Sequence, residues 1–410
     1  MNTQGRPLRV AMVGSSLRRG GAEKQTVYIA RALLESGIDV RFFYLGAGGH
    51  YESVLRELKV PLSQIYYPNR SWKILVKLIL ALRRWQPHVV LIFQFGDMHF
   101  GGIAGRLCRA QVLGGVQSDG WYELRYFGRL SRSLLRLAHG VLPNSHGAKQ
   151  TLISQGLNPQ KMEVLANVLD LRDFDNRTAL PFSIPLPPDR VVAAAVGSLQ
   201  PCKRFDRFLD AFALARRAEP SLAGVIAGGD LGAKAALEAK AEELGLGPQD
   251  VRFLGECHNV PALLARSAML VLASDYEGLP NVVLEAMAAR LPVITTPAGD
   301  AGLVVQHGRT GYVVEPDNIQ GMADSLIRLA RSPETRTTFG EAGRQRVEQE
   351  YNYATLADRL LAVFERFARQ ARKVSLLREL DARRRSPELK NGGSRNSALV
   401  GMARSTHSAV

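Results

Sequence analysis

The sequence predicts an α/β protein of two Rossmann-like units, each a parallel sheet covered by helices. Three observations lead there. Short apolar runs alternate with longer helical patterns along the whole chain, the βαβ rhythm of a sheet buried on both faces. Near residue 180 the rhythm is interrupted by Pro181, Pro185, Pro187 and Pro188, a density that excludes helix or central strand and marks a linker. A chain of 410 residues that is 46% hydrophobic can supply two separate cores.

In order along the chain, strands are expected at 10–13, 40–45, 89–93 and 112–116, with helices at 23–36 and 72–85 between them. A second series is expected at 191–196, 222–227, 251–254, 269–273, 292–295 and 312–314. Residues 351–378 read as one or two long helices. From Ser386 the chain turns to Gly, Ser, Asn and Arg, a composition that predicts disorder. The expected division is therefore 1–180, 181–350, a helical segment 351–378 and a basic tail 379–410.

Composition limits the setting. Cys108, Cys202 and Cys257 show neither metal nor redox spacing, so reduced thiols in a cytoplasmic protein are expected. The apolar strand beginning at Leu8 leaves no room for a signal peptide, and nowhere are there eighteen consecutive apolar residues. The eight histidines show no ligand spacing, and no metal or cofactor is expected. Net charge is +15, distributed unevenly. Residues 1–180 carry 24 Lys and Arg against 12 Asp and Glu, 181–364 carry 18 against 22, and 365–410 carry 11 against 4. A basic first half suggests an anionic partner: a membrane surface, a phosphorylated lipid or nucleic acid. Nucleic acid is disfavoured, because no aromatic-platform module is recognisable.

The most informative segment runs from Ser274 to Ala289. Glu277 lies in the turn after an apolar run, and Glu285 projects from the early turns of the next helix, with Pro280 expected as its first residue. The first N–H groups of that helix lack helical partners and carry partial positive charge. A carboxylate on each side of such a terminus suits a ligand with a diphosphate in the middle and hydroxyls at both ends, which describes a nucleotide sugar.

The run Glu277-Gly278-Leu279-Pro280-Asn281 followed by Glu285-Ala286-Met287-Ala288 resembles the E-x7-E signature of retaining nucleotide-sugar glycosyltransferases of the GT-B fold, glycosyltransferase family 4 (group 1 type). The resemblance implies two facing Rossmann-like domains, with 1–180 on the acceptor side, 181–350 binding the donor and 351–378 crossing back. It implies that Glu277 faces the donor sugar and Glu285 the ribose hydroxyls. Gly20 and Gly21 resemble a Gly-Gly-x-Glu loop that lets backbone approach the donor phosphates. Lys203 matches one of two cations that neutralise the leaving diphosphate. Ser198 stands where Arg is usual, which leaves Lys203, the helix terminus and Arg204. Asn144-Ser145, Asn167–Asp170 and Gly308–Gly311 resemble family turns read as structural, and Arg290 replaces a common glycine. The family's first-domain His has no counterpart here, and Asp119 or Glu123 is the expected acceptor-side carboxylate.

Asp173-Phe174-Asp175 mimics a metal site of another glycosyltransferase fold but lacks its strand context. Residues 70–85 suit either a core helix or an interfacial amphipathic one, and 129–136 and 383–385 add further basic groups.

The implied activity is metal-independent transfer of a hexose-type sugar, with retention, to a lipid-linked, polysaccharide or lipopolysaccharide acceptor at the inner membrane surface. Two alternatives stand beside it. One is a nucleotide-sugar epimerase using the same cleft. The other is a non-catalytic binder of nucleotide sugars or nucleic acid.

Overall fold

The computed structural model describes residues 7–18, 20–46, 48–67, 71–120, 133–187 and 189–385. They form two compact units, one running to Ala166 and resuming at Ala354, the other spanning Asn167–Tyr353.

The first unit is built from β1 (Arg9–Gly14), α1 (Gly21–Glu35), β2 (Asp39–Tyr44), α2 (Tyr51–Glu57), β3 (Leu62–Gln64), α3 (Ser71–Trp85), β4 (Val89–Ile92), α4 (Ile103–Leu107), β5 (Gln111–Val116), β6 (Gly140–Pro143) and α5 (His146–Ser154). Its six strands pair in parallel in the order β3-β2-β1-β4-β5-β6. Central strands buried on both faces explain why the run Val10–Val13 is wholly apolar. Helix α3 seals one face with Ile74, Leu78, Leu82 and Trp85. Two strands were not anticipated. β3 has three residues and reads Leu-Ser-Gln, while β6 is a four-residue run ending in Pro143. Neither is long enough to show periodicity.

The second unit contains α6 (Leu171–Thr178), β7 (Val191–Val196), α7 (Phe205–Ala218), β8 (Leu222–Ala227), α8 (Lys234–Glu243), β9 (Val251–Gly255), α9 (Val260–Leu264), β10 (Met269–Leu272), α10 (Asn281–Ala288), β11 (Val293–Thr295), α11 (Ala301–Val304), β12 (Gly311–Val313), α12 (Ile319–Arg331) and α13 (Pro333–Glu350). Its parallel order, β12-β11-β10-β7-β8-β9, repeats that of the first sheet. Phe208, Leu209 and Phe212 of α7 and Met322, Leu326 and Leu329 of α12 fill one core. The chain then returns to the first unit as α14 (Leu356–Gln370) and α15 (Val374–Arg385), where Gln111 Nε2 donates to the Phe364 carbonyl at 3.1 Å.

The units change over at Ala166/Asn167, upstream of the boundary expected at 180/181. The reason is α6. Arg177 donates to the His258 carbonyl at 2.9 Å and Asn259 to the Arg177 carbonyl at 3.1 Å, fixing this helix to the second unit. The expected linker instead packs Phe182, Ile184 and Leu186 against Val192 and Val225 of that unit. Asp175, half of the mimicked metal pair, takes the Arg344 guanidinium in two bonds of 2.7 and 2.9 Å. Arg344 also donates to the Ala288 carbonyl, so it joins α6, α13 and the end of α10. Two of the turns expected to be structural supply helix caps: Ser145 caps α5 by accepting from Ala148 N–H, and Asp170 caps α6.

Arg290 acquires a physical account. It sits at φ 57°, the left-handed position just beyond the α10 cap, where glycine carries no Cβ penalty. Its side chain pairs with Glu341 at 2.9 Å.

Candidate functional site

In a parallel sheet of this order, β7 is followed by β8 on one side, while β10 flanks it on the other. The loops leaving β7 and β10 at their carboxyl ends therefore diverge, and ligands of open α/β sheets bind in such a crevice. Lys203 comes from the first loop and Glu277 from the second.

The two side chains meet. Lys203 Nζ donates to both Glu277 carboxylate oxygens, at 2.7 and 2.8 Å, and the Ser274 hydroxyl donates to one of them at 2.7 Å. Ser274 is fully buried, and its carbonyl accepts from the Thr296 hydroxyl at 2.6 Å. The Glu277 side chain is 9% exposed and that of Lys203 21%. Glu277 is thus held rigidly from below, while its cation remains reachable from solvent.

Pro280 is the cap of α10 rather than its first residue. It is extended (φ −72°, ψ 118°), and the helix proper begins at Asn281. Glu285 lies one turn further in and is 8% exposed. The segment Glu277–Pro280 is fixed by its backbone. The Leu279 carbonyl accepts from Asn167 Nδ2 at 2.8 Å, and the Gly278 carbonyl accepts from Asp300 N–H at 2.9 Å. Gly299 sits beneath it at φ +55°, and a Cβ there would stand 2.2 Å from the carbonyl oxygens of both Glu277 and Gly278. Gly299→Ala is therefore expected to displace this loop and to cost about 2–3 kcal/mol, from left-handed strain plus the clash. Thermal denaturation checks this, and an unchanged melting temperature would mean the loop yields freely.

The other expected cation is committed elsewhere. Arg204, itself left-handed at φ 49°, donates to Asp206 (2.9–3.2 Å) and to Asp275 (3.3–3.4 Å), and the Asp206 carboxylate raises its pKa. Arg207 is 3% exposed and holds Asp275 at 2.9 Å. Ser198 uses its carbonyl to accept from Gln200 N–H. Sequence reasoning missed Ser274, Asn167's hold on Leu279, and Gly299. Only Gly299, in the Pro297-Ala298-Gly299-Asp300 turn, left a local signal.

The remaining expected residues belong to the first unit. Gly20 is the extended cap of α1, with Glu23 folded against it. Glu23 Oε1 accepts from Gln94 Nε2 at 3.1 Å, and Gln94 Oε1 accepts from the Ser15 hydroxyl and N–H. This network joins the carboxyl ends of β1 and β4, the switch point of the first sheet. Asp97 lies in the turn after β4, and burial raises its pKa to about 7. Asp119 accepts from the Ser118 hydroxyl at 3.3 Å. Glu123 lies outside the described residues, as do residues 129–132 of the basic 129–136 run and the tail from 386.

Two six-stranded parallel sheets of this order, flanked by helices, are the fold of the GT-B structural neighbours. Residues 176–346 match the family model of glycosyl transferases group 1, and residues 19–173 match that of glycosyltransferase family 4. The chain belongs to this glycosyltransferase family. It is 41% identical to N-acetyl-alpha-D-glucosaminyl L-malate synthase of Bacillus anthracis over 101 residues, 25% of this chain and 26% of that one. It is 30% identical to D-inositol 3-phosphate glycosyltransferase of Mycobacterium bovis over 225 residues, 53% of this chain and 46% of that one. The chain thus spans under half the length of these curated relatives. In structure it resembles Anabaena HepE, solved with UDP and glucose, at TM-score 0.75 and 19% identity, over 87% of this chain and 99% of that one.

Among the described residues, no helix is long and apolar enough to cross a membrane.

Proposed function

We propose that this chain is a retaining glycosyltransferase that moves a hexose-type sugar from a nucleoside-diphosphate donor to an anionic acceptor. The observation that carries the reading is the Lys203–Glu277–Ser274 cluster at the β7/β10 switch point, beside the amino terminus of α10.

Without donor, Lys203 and Glu277 neutralise each other. A diphosphate offers Lys203 a stronger anion, and the Glu277 carboxylate, still held by Ser274, is then turned to the sugar hydroxyls. Lys203 and the N–H groups opening α10 receive the charge that develops as the anomeric carbon–oxygen bond breaks, a role that requires no metal. Glu285 binds the ribose. The acceptor oxygen forms the new bond to the anomeric carbon, and its proton passes to the departing diphosphate. Retention by same-face attack is favoured over retention by double displacement, because the carboxylate next to Glu277 in the same loop, Asp275, already serves Arg204 and Arg207. Gly20 and Gly21 are assigned to the donor phosphates and Asp119 to the acceptor.

The basic first half favours a lipid-linked diphosphate or lipopolysaccharide-type acceptor at the inner face of the cytoplasmic membrane. The names of the two curated relatives favour a second class, a small acid such as malate or an inositol phosphate.

A panel of UDP-, GDP- and ADP-sugars tests the reading by thermal stabilisation, then by nucleotide release with membrane extract or with small acidic acceptors. One donor is expected to stabilise the chain, to lose that effect in Glu285→Ala, and to turn over only with acceptor. Product formed from donor alone would indicate an epimerase, and no stabilisation by any donor would indicate a binder of another kind.

A further inference from the structure

Helix α3 is apolar on two opposite faces. Ile74, Leu78 and Leu82 point into the core of the first unit, while Trp72, Val76 and Leu80 are 66%, 47% and 60% exposed. The two sets are offset by two residues, about 200° around a 3.6-residue helix, so the second stripe cannot share the first one's burial. An exposed stripe of three large apolar side chains on one helix is not scattered surface apolarity.

The stripe continues onto neighbouring elements. Cys108, just past α4, donates to the Ile79 carbonyl at 3.7 Å and lies against Arg83. Beside it Leu107 is 53% exposed. Lys373, in the turn before α15, donates to the Arg109 carbonyl at 2.9 Å, and the adjacent Val374 is 56% exposed. Five of the exposed large apolar residues thus fall on three elements that touch one another.

Within the segments that carry them, the charged residues have one sign. Residues 71–85, 103–111 and 366–378 contain no Asp or Glu, yet they carry Lys73, Lys77, Arg83 and Arg84, then Arg106 and Arg109, then Lys373 and its neighbours. Lys73 lies 5.5 Å from the centre of the Trp72 ring. Apolar side chains rimmed by cations on flexible stems complement an anionic lipid interface, where the apolar groups enter the headgroup region and the cations stay with the phosphates.

We propose that this face of the first unit, formed by α3, the end of α4 and the turn before α15, docks on an anionic lipid bilayer. It rests on the proposed function only in placing the acceptor at such a surface. Both readings of residues 70–85 then hold at once, one per helix face.

Co-sedimentation of the full chain with phosphatidylglycerol-containing vesicles, against pure phosphatidylcholine, tests it. Binding is expected to anionic vesicles only and to weaken in high salt. A Trp72→Ser/Val76→Ser/Leu80→Ser variant and a Lys73→Gln/Lys77→Gln/Arg83→Gln variant are each expected to bind about tenfold or more weakly, with melting temperature and donor stabilisation unchanged. Full binding by both variants, or equal binding to neutral vesicles, would overturn the proposal. So would absence of binding to either vesicle, which would leave an acidic protein as the partner. Because donor stabilisation is read separately, loss of docking and loss of the transferase reading are distinguishable.

Discussion

Lys203→Ala is expected to lower kcat by about 10²–10³-fold with a smaller change in donor KM, because the charge it neutralises is largest as the diphosphate departs. Glu277→Gln is expected to fall by a comparable factor. The two residues touch through both carboxylate oxygens, so their effects should not add. The double variant should therefore be little worse than the worse single one. Lys203→Ala also leaves a nearly buried carboxylate with only the Ser274 hydroxyl, a stability cost of about 1–3 kcal/mol. Activity is accordingly measured well below the melting temperature of each variant. Strictly additive losses in kcat would show that Lys203 and Glu277 act on separate parts of the ligand, and an unimpaired Lys203→Ala would remove the diphosphate role altogether.

The second unit was more legible in sequence than the first, for a physical reason. Its site residues occur in a short run, Ser274 to Glu285, whose strand, turn and helix follow from local patterning. The α/β class was visible because buried parallel strands such as Val191–Val196 are nearly continuous apolar runs. What stayed hidden depends on contacts distant in sequence. Asn167 reaches the Leu279 carbonyl across 112 residues, and Arg344 fixes Asp175 across 169. Arg204 looked like a free cation until its two carboxylates were in view. The Ser15–Gln94–Glu23 network joins two loops and the first turn of α1, and its residues, taken singly, are ordinary surface types. Helix α3 shows the converse: its pattern supported two readings because it has two apolar faces.

Asp97→Asn is expected to stabilise the first unit at alkaline pH and to do nothing near pH 4. Asp97 is 4% exposed, one of its carboxyl oxygens has no hydrogen-bond partner, and Ser15 offsets only part of the burial. Its pKa is about 7 in the folded chain against 3.8 for the free group. Between these values the folded state binds more protons than the unfolded one, so this group's contribution falls as pH rises from about 4 to 7 and then levels off. Three pKa units correspond to an upper bound of about 4 kcal/mol. An amide of the same shape cannot ionise, so the variant escapes that loss, and the orphan it leaves is neutral instead of charged. The difference in melting temperature between variant and wild type is thus expected to grow by several degrees from pH 4 to pH 8, changing most steeply about midway between the two pKa values and levelling off above pH 7. A difference independent of pH would mean that Asp97 is ionised throughout and that solvent or a partner reaches it. The same substitution leaves Lys203, Ser274 and Glu277 untouched, so donor stabilisation should persist at both pH values. If donor binding instead acquired the pH dependence, Asp97 would be coupled to the ligand through Ser15 and Gln94, and the first-unit network would belong to the reaction.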